Sequence, residues 1–143
     1  MSHLERPILL VEDNPMDVDL TRRAFVRREL GHPIEVARDG EEALTFVSSR
    51  AGKQPLPLVI LLDLKLPKVD GLEVLRQLKK HPMFHTIPVV VLSTSTEDND
   101  IQIAYQEGAN SYIVKPVDFD RFMQIIEQIQ IYWCVLNTPP PSL

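Results

Sequence analysis

The sequence predicts an α/β fold, a doubly wound parallel sheet of five strands covered by five helices. Three observations predict it. Short apolar runs alternate with helical stretches five times along the chain. The runs at 58–62 (Leu58-Val59-Ile60-Leu61-Leu62) and 88–92 are apolar throughout, the pattern of strands buried on both faces. Acidic residues, Asp63 above all, stand where such strands end, and open parallel sheets bind their ligands beyond the carboxyl ends of the strands. Strand–helix alternation of this kind implies right-handed crossovers with helices on both faces.

Each element has its own signals. Residues 7–11 form the first strand and end in Glu12-Asp13. Asn14 caps the next helix, Pro15 fits its first position, and Asp17 in the first turn favours the helix dipole. Leu20, Ala24 and Phe25 face inward, and Gly31 supplies a left-handed stop. Residues 34–37 are the second strand. Asp39-Gly40 opens the second helix, with Ala43, Leu44 and Val47 on one side. Residues 50–57, with one glycine and two prolines, form a loop before the third strand. Asp70 caps the third helix, Glu73 completes a pair resembling a capping box, and Val74, Leu75 and Leu78 face inward. The fourth strand runs into Ser93-Thr94-Ser95. A helix over about 96–107 stops at Gly108. Residues 111–114 are the fifth strand, closed by Lys115-Pro116. Asp118 caps the last helix, which runs to Trp133 or beyond, and Pro139-Pro140-Pro141 make a disordered tail.

Composition bounds the function. A chain of 143 residues with 44% hydrophobic content suits one globular core. The single domain spans 7–136, between an N-terminal tail at 1–6 and a flexible Pro-rich tail at 137–143. A net charge of −5 argues against nucleic acid and against an anionic membrane surface as partners. Arg22, Arg23, Arg27 and Arg28 read as a solvated helix face, diluted by Glu29. The lone Cys134 excludes an internal disulfide and reads as inert, near a helix end. His3, His32, His81 and His85 have no metal-ligand spacing and read as surface residues. With neither a signal peptide nor a run of membrane-spanning length, a soluble cytoplasmic protein is expected.

In a parallel sheet the strand ends share one edge, which brings together Glu12, Asp13, Asp63, Ser93 and Lys115. Clustered carboxylates disfavour one another's charge, so a cation must relieve them. Lys115 is one candidate and a divalent metal the other. Ligands that are all oxygens suit Mg²⁺. A carboxylate beside such a metal and a lysine is set to attack a phosphoryl group, with Ser93 placed to hydrogen-bond a phosphoryl oxygen.

These residues resemble the receiver domains of bacterial two-component response regulators. The resemblance is carried by Glu12-Asp13, Asp63, the LPKVDG stretch after it, the fourth strand ending at Ser93, Gly108-Ala109, Tyr112 and Lys115-Pro116. It implies a flavodoxin-like fold with strand order 2-1-3-4-5. By the same resemblance Asp63 is the phosphoacceptor, Asp13 a direct metal ligand, and Glu12 a ligand acting through water. Lys65 offers its backbone carbonyl to Mg²⁺ or Mn²⁺. Ser93 and Lys115 contact the phosphoryl group, Tyr112 is an aromatic switch, and the peptide bond before Pro116 is cis. Thr94 after the switch hydroxyl and Glu12 in place of the commoner Asp depart from the family pattern. Together with Lys65 and Ser95 they bear on the lifetime of the acyl phosphate.

The "LLVEDNPxD" opening, "VVLSTS", the long loop at 50–57 and the extended end after Ile131 resemble the stand-alone Rcp-type regulators that serve phytochrome kinases. The implied partners are a sensor histidine kinase, a phytochrome among them, and a His-containing relay protein. With no output domain in the sequence, the phosphate is expected to switch a protein surface. The chain would be no enzyme beyond its own phosphotransfer and dephosphorylation. In the last helix, Phe119, Phe122, Met123, Ile126, Ile129 and Trp133 form one stripe, which Ile125 and Tyr132 widen to roughly 180°, more than packing on a sheet needs. A homodimer through the fourth-helix, fifth-strand and fifth-helix face is expected, with Ile101, Tyr105, Val114, Val117, Ile125 and Tyr132 as contacts. An aspartyl-nucleophile phosphatase would carry a second acid two residues after Asp63, where Lys65 stands. An FMN-binding flavodoxin would carry a Ser/Thr/Gly-rich loop where this chain has Glu12-Asp13-Asn14-Pro15-Met16.

Overall fold

A computed structural model describes residues 6–28, 31–50, 52 and 55–141. His3 and Glu29, the rest of the N-terminal tail, loop residues 51, 53 and 54, and the last two residues of the Pro-rich tail lie outside the described residues. The elements alternate as β1 (Ile8–Val11), α1 (Pro15–Arg28), β2 (Ile34–Ala37), α2 (Gly40–Arg50) and β3 (Val59–Leu62). Then follow α3 (Gly71–Lys80), β4 (Val89–Ser93), α4 (Asp98–Gln106), β5 (Ser111–Val114) and α5 (Phe119–Ile131). The strands form one parallel sheet in the order β2-β1-β3-β4-β5.

Every residue of β1, β3 and β4 is buried. Side chains of a strand point alternately to its two faces, and the core divides accordingly. Leu9, Val11, Ile60, Leu62, Val89 and Val91 pack with Ala43, Val74, Leu75 and Ala104, under α2, α3 and α4. Ile8, Leu10, Val59, Leu61, Val90 and Leu92 pack with Phe25, Phe122, Ile126 and Ile129, under α1 and α5. Apolar side chains on both faces are why these runs show no polar alternation.

Three of the four expected caps form. Asn14 Oδ1 accepts the N–H groups of Met16 and Asp17, Asp39 Oδ1 that of Glu42, and Asp118 Oδ2 that of Arg121. The fourth does not, because Asp70 makes no capping bond. Glu73, the other half of the expected box, bonds Arg76 and Gln77 instead, a charge-assisted pairing that competes with a backbone N–H. Gly31 is left-handed, as expected, at φ 81°. α4 starts two residues later than the sequence suggests, because Ser95 Oγ accepts Glu97 N–H and holds a turn there.

The last helix also differs from expectation. Regular α-helix stops at Ile131, and Tyr132–Leu136 continue as a π-helical segment. Phe122, Ile126 and Ile129 are buried, but Phe119 is 58% exposed. Phe119 opens α5 beyond the carboxyl edge of the sheet, where no strand lies beneath it. The Pro-rich end touches the body rather than hanging clear of it: Arg6 Nη1 donates to Pro140 O at 3.2 Å. Arg23–Asp19 and the pairing of Arg27 and Arg28 with Glu127 fit a solvated basic face on α1. His81 does more than face water, since its Nδ1 accepts the N–H groups of Met83 and Phe84. No helix among the described residues is long and apolar enough to cross a membrane.

Candidate functional site

Sheet register places the site. Val11 pairs with Leu62 and Leu62 with Val91, and the ladder continues one step past the strands through Asp63 N–H to Val11 O and Lys115 N–H to Ser93 O. Glu12, Asp13, Asp63, Ser93 and Lys115 therefore emerge along one edge. Glu12, Asp13 and Asp63 each offer a carboxylate oxygen, and the three oxygens lie within 4.8 Å of one another. Glu12, Asp63 and Ser93 are buried and Asp13 is exposed, so the cluster opens to solvent on the Asp13 side. Gly71 keeps this edge tight: a Cβ there would sit 2.4 Å from Asp63 O and 2.5 Å from Leu64 Cα.

Lys115 Nζ reaches into the cluster. It donates to Glu12 Oε1 at 2.6 Å, Asp17 Oδ2 at 3.0 Å and Asp63 Oδ2 at 3.4 Å. Glu12 Oε2 also accepts Asn14 N–H, and Asp63 Oδ1 accepts Lys65 N–H. Burial pushes the Glu12 carboxyl up to about 7, against the opposing hydrogen bond and charge of Lys115. Burial would lower the Lys115 ammonium, but the bond and charge of Glu12, the charge of Asp63 and the bond of Asp17 raise it overall. The cation thus stays on Lys115, and burial favours the protonated form of Glu12. Oxygen-only ligands at these separations fit a hard divalent ion, which would bring further positive charge to the cluster.

Ser93 Oγ accepts Ser95 N–H at 3.1 Å, and Tyr112 OH donates to Ser95 O at 3.0 Å. Ser95 Oγ donates in turn to Asp100 on α4. The β4–α4 turn is thereby linked to Ser93 on one side and to Tyr112 and α4 on the other. The Lys65 side chain is exposed. Of the expected contact residues, Tyr105, Val114, Tyr132 and Val117 are exposed, Val117 almost wholly at 97%, while Ile101 and Ile125 are half-buried.

Asp17 is the residue that sequence reasoning misses, since its place in the first turn of α1 points only to the helix dipole. No local spacing pointed to it, because its partner, Lys115, lies 98 residues further along the chain.

The sequence matches the response regulator receiver domain over residues 8–127. The chain belongs to the receiver domain family. Its relatives include Response regulator Rcp1 of Synechocystis sp., 35% identical over 99% of this chain and 97% of that protein. Another is the probable methanogenesis regulatory protein FilR2 of Methanothrix harundinacea, 46% identical over 93% of this chain and 86% of that protein. Among solved structures, the phosphorylated cyanobacterial phytochrome response regulator RcpA superposes with a TM-score of 0.90 at 38% identity, covering 96% of this chain and 99% of its own. The Mn²⁺-bound form of Rcp1 superposes at 0.88 and 34% identity, with 95% and 99% covered. The receiver fold expected from the sequence, strand order included, is the one observed.

Proposed function

We propose that this receiver accepts a phosphoryl group from a histidine kinase onto Asp63 and thereby switches a protein-binding surface. One observation carries the proposal: Asp63 belongs to a carboxylate cluster open to solvent and lies within reach of the Lys115 ammonium. In the reaction an Asp63 oxygen attacks phosphorus, the phosphorus–nitrogen bond of the donor imidazole breaks, and the histidine leaves with the bonding pair. Lys115 neutralises charge on the transferring oxygens, and Ser93 offers its hydroxyl to one of them. Glu12, Asp13, Asp63 and the Lys65 carbonyl would hold Mg²⁺ or Mn²⁺, which supplies charge neutralisation at the phosphoryl oxygens.

The switch then runs through Ser93. Drawing its hydroxyl to a phosphoryl oxygen loosens its bond to Ser95, and Ser95 carries both Tyr112 and Asp100. Tyr112 and α4 change together, which alters the α4–β5–α5 face. We infer that this face forms a homodimer through Ile101, Tyr105, Val114, Val117, Ile125 and Tyr132, and that Asp63 can pass its phosphoryl group to the imidazole of a His-containing relay protein. Likeness to RcpA and Rcp1 supports a phytochrome kinase as donor. The net charge of −5 supports neither nucleic acid nor an anionic membrane as partner, and the receiver resemblance implies a cytoplasmic setting and a cis bond before Pro116. Met16, Val117 and Phe119, apolar and exposed at the same edge, suit a docking protein around the acid cluster.

Incubation with acetyl phosphate, with and without Mg²⁺, followed by intact-mass measurement tests the chemistry. One phosphoryl adduct that EDTA abolishes is expected; no adduct, or one indifferent to EDTA, contradicts it. Light scattering at micromolar concentration, with and without a phosphate analogue, tests the dimer, and a monomer under both conditions rules it out.

A further inference from the structure

We propose that Asp17 is a positioning residue for Lys115, keeping its ammonium beside Asp63 when a divalent cation occupies the carboxylate cluster. The inference rests on the reading of this site as a metal-assisted phosphoacceptor. A lysine ammonium has three N–H donors and no acceptor. Here the donors meet Glu12, Asp17 and Asp63 at 2.6, 3.0 and 3.4 Å. Two of those acceptors, Glu12 and Asp63, belong to the cluster suited to a metal, whereas Asp17 does not. A cation and the ammonium therefore compete for the same two carboxylates. They also repel each other in a pocket where the Lys115 side chain is only 7% exposed. An ammonium left without a partner there would be expelled along its flexible stem. Asp17 is the one acceptor of the three that the lysine can keep.

Its backbone suits that task. Asp17 lies in the first turn of α1, its N–H held by the Asn14 cap, and the next residue, Val18, is buried in the core. The carboxylate is thus presented from a fixed helix rather than from a loop. The simpler account, an acid that only complements the helix dipole, makes no use of Lys115 at all. That difference supplies the test.

Mn²⁺ affinity is measured by calorimetry for wild type, Asp17→Asn, Lys115→Met and the double variant, each without phosphodonor. With Asp17 gone, the ammonium of the metal-free protein is held by Glu12 and Asp63 alone, and the metal must displace it from both. Asp17→Asn should therefore weaken Mn²⁺ binding at least about threefold more when Lys115 is present than in the Lys115→Met background. Asp17→Glu keeps the charge and should recover most of the affinity. Equal losses in both backgrounds mean a bare charge effect and overturn the proposal, as does no loss in either. A wild type that forms the Mg²⁺-dependent adduct yet shows no Lys115-dependent effect of Asp17 overturns this inference alone. A wild type that binds no Mn²⁺ overturns both this inference and the function it rests on.

Discussion

Glu12 and Asp63 are largely withdrawn from water, with Asp13 beside them and Lys115 as their nearest cation. More acid than base is gathered at this edge, so the metal-free fold carries uncompensated repulsion. Asp63→Asn should therefore raise the stability of the metal-free protein, on the order of 1 kcal/mol. The gain should shrink when Mg²⁺ is present, because the cation already neutralises the cluster. Urea denaturation with EDTA and with Mg²⁺ checks this, and a variant less stable than wild type in EDTA contradicts it. Cys134 poses a separate question of accessibility. Burial pushes its thiol up to about 12, so at pH 8 the reactive thiolate is scarce. Ellman's reagent should label the native protein far more slowly than the protein unfolded in guanidinium. Because the folded thiol holds its proton more tightly than the unfolded one, Cys134 contributes stability that is full below about pH 8.5 and lost as pH rises toward 12.

At the level of elements, two devices set the ends of the helices around the site. Gly71 admits α3 against the backbone of Asp63, and any Cβ there must displace Asp63 or Leu64. Gly71→Ala should cost about 2 kcal/mol or more in urea unfolding and slow phosphorylation at Asp63. Caps that form should matter and one that does not should not. Asp118→Ala should cost about 1 kcal/mol, whereas Asp70→Ala should stay within about 0.5 kcal/mol; equal losses would contradict the hydrogen bonding described. These cases show what was legible in the chain. Strand runs such as 58–62 announce themselves because burial on both faces leaves no polar position. Caps at Asn14, Asp39 and Asp118 are local and readable. The failure at Asp70 is not, because Glu73 is drawn to Arg76, which also pairs with Glu107 from beyond α3. Phe119 fits the helical period of its neighbours, and only the position of the sheet edge leaves it in water.

Across the whole molecule, the sheet brings residues from four separate stretches of chain to one edge. Glu12, Asp13, Asp63, Ser93 and Lys115 were readable because each ends a strand, and parallel strands end together. Asp17 and the contact from Arg6 to Pro140 were not, since they depend on how α1 tilts over the edge and on where the chain end returns. The same architecture connects chemistry to surface. Ser93 and Lys115 close β4 and β5, and the α4–β5–α5 face lies directly beyond them, so a charge added at Asp63 has a short path to what a partner reads. That path matters only if Asp63 is where the phosphoryl group arrives. Wild type and Asp63→Asn treated alike with acetyl phosphate and Mg²⁺, then weighed intact and mapped by peptide, decide it. A single adduct on the wild type, confined to the peptide holding Asp63 and absent from the variant, is the predicted result. An adduct of equal extent on both proteins would contradict it.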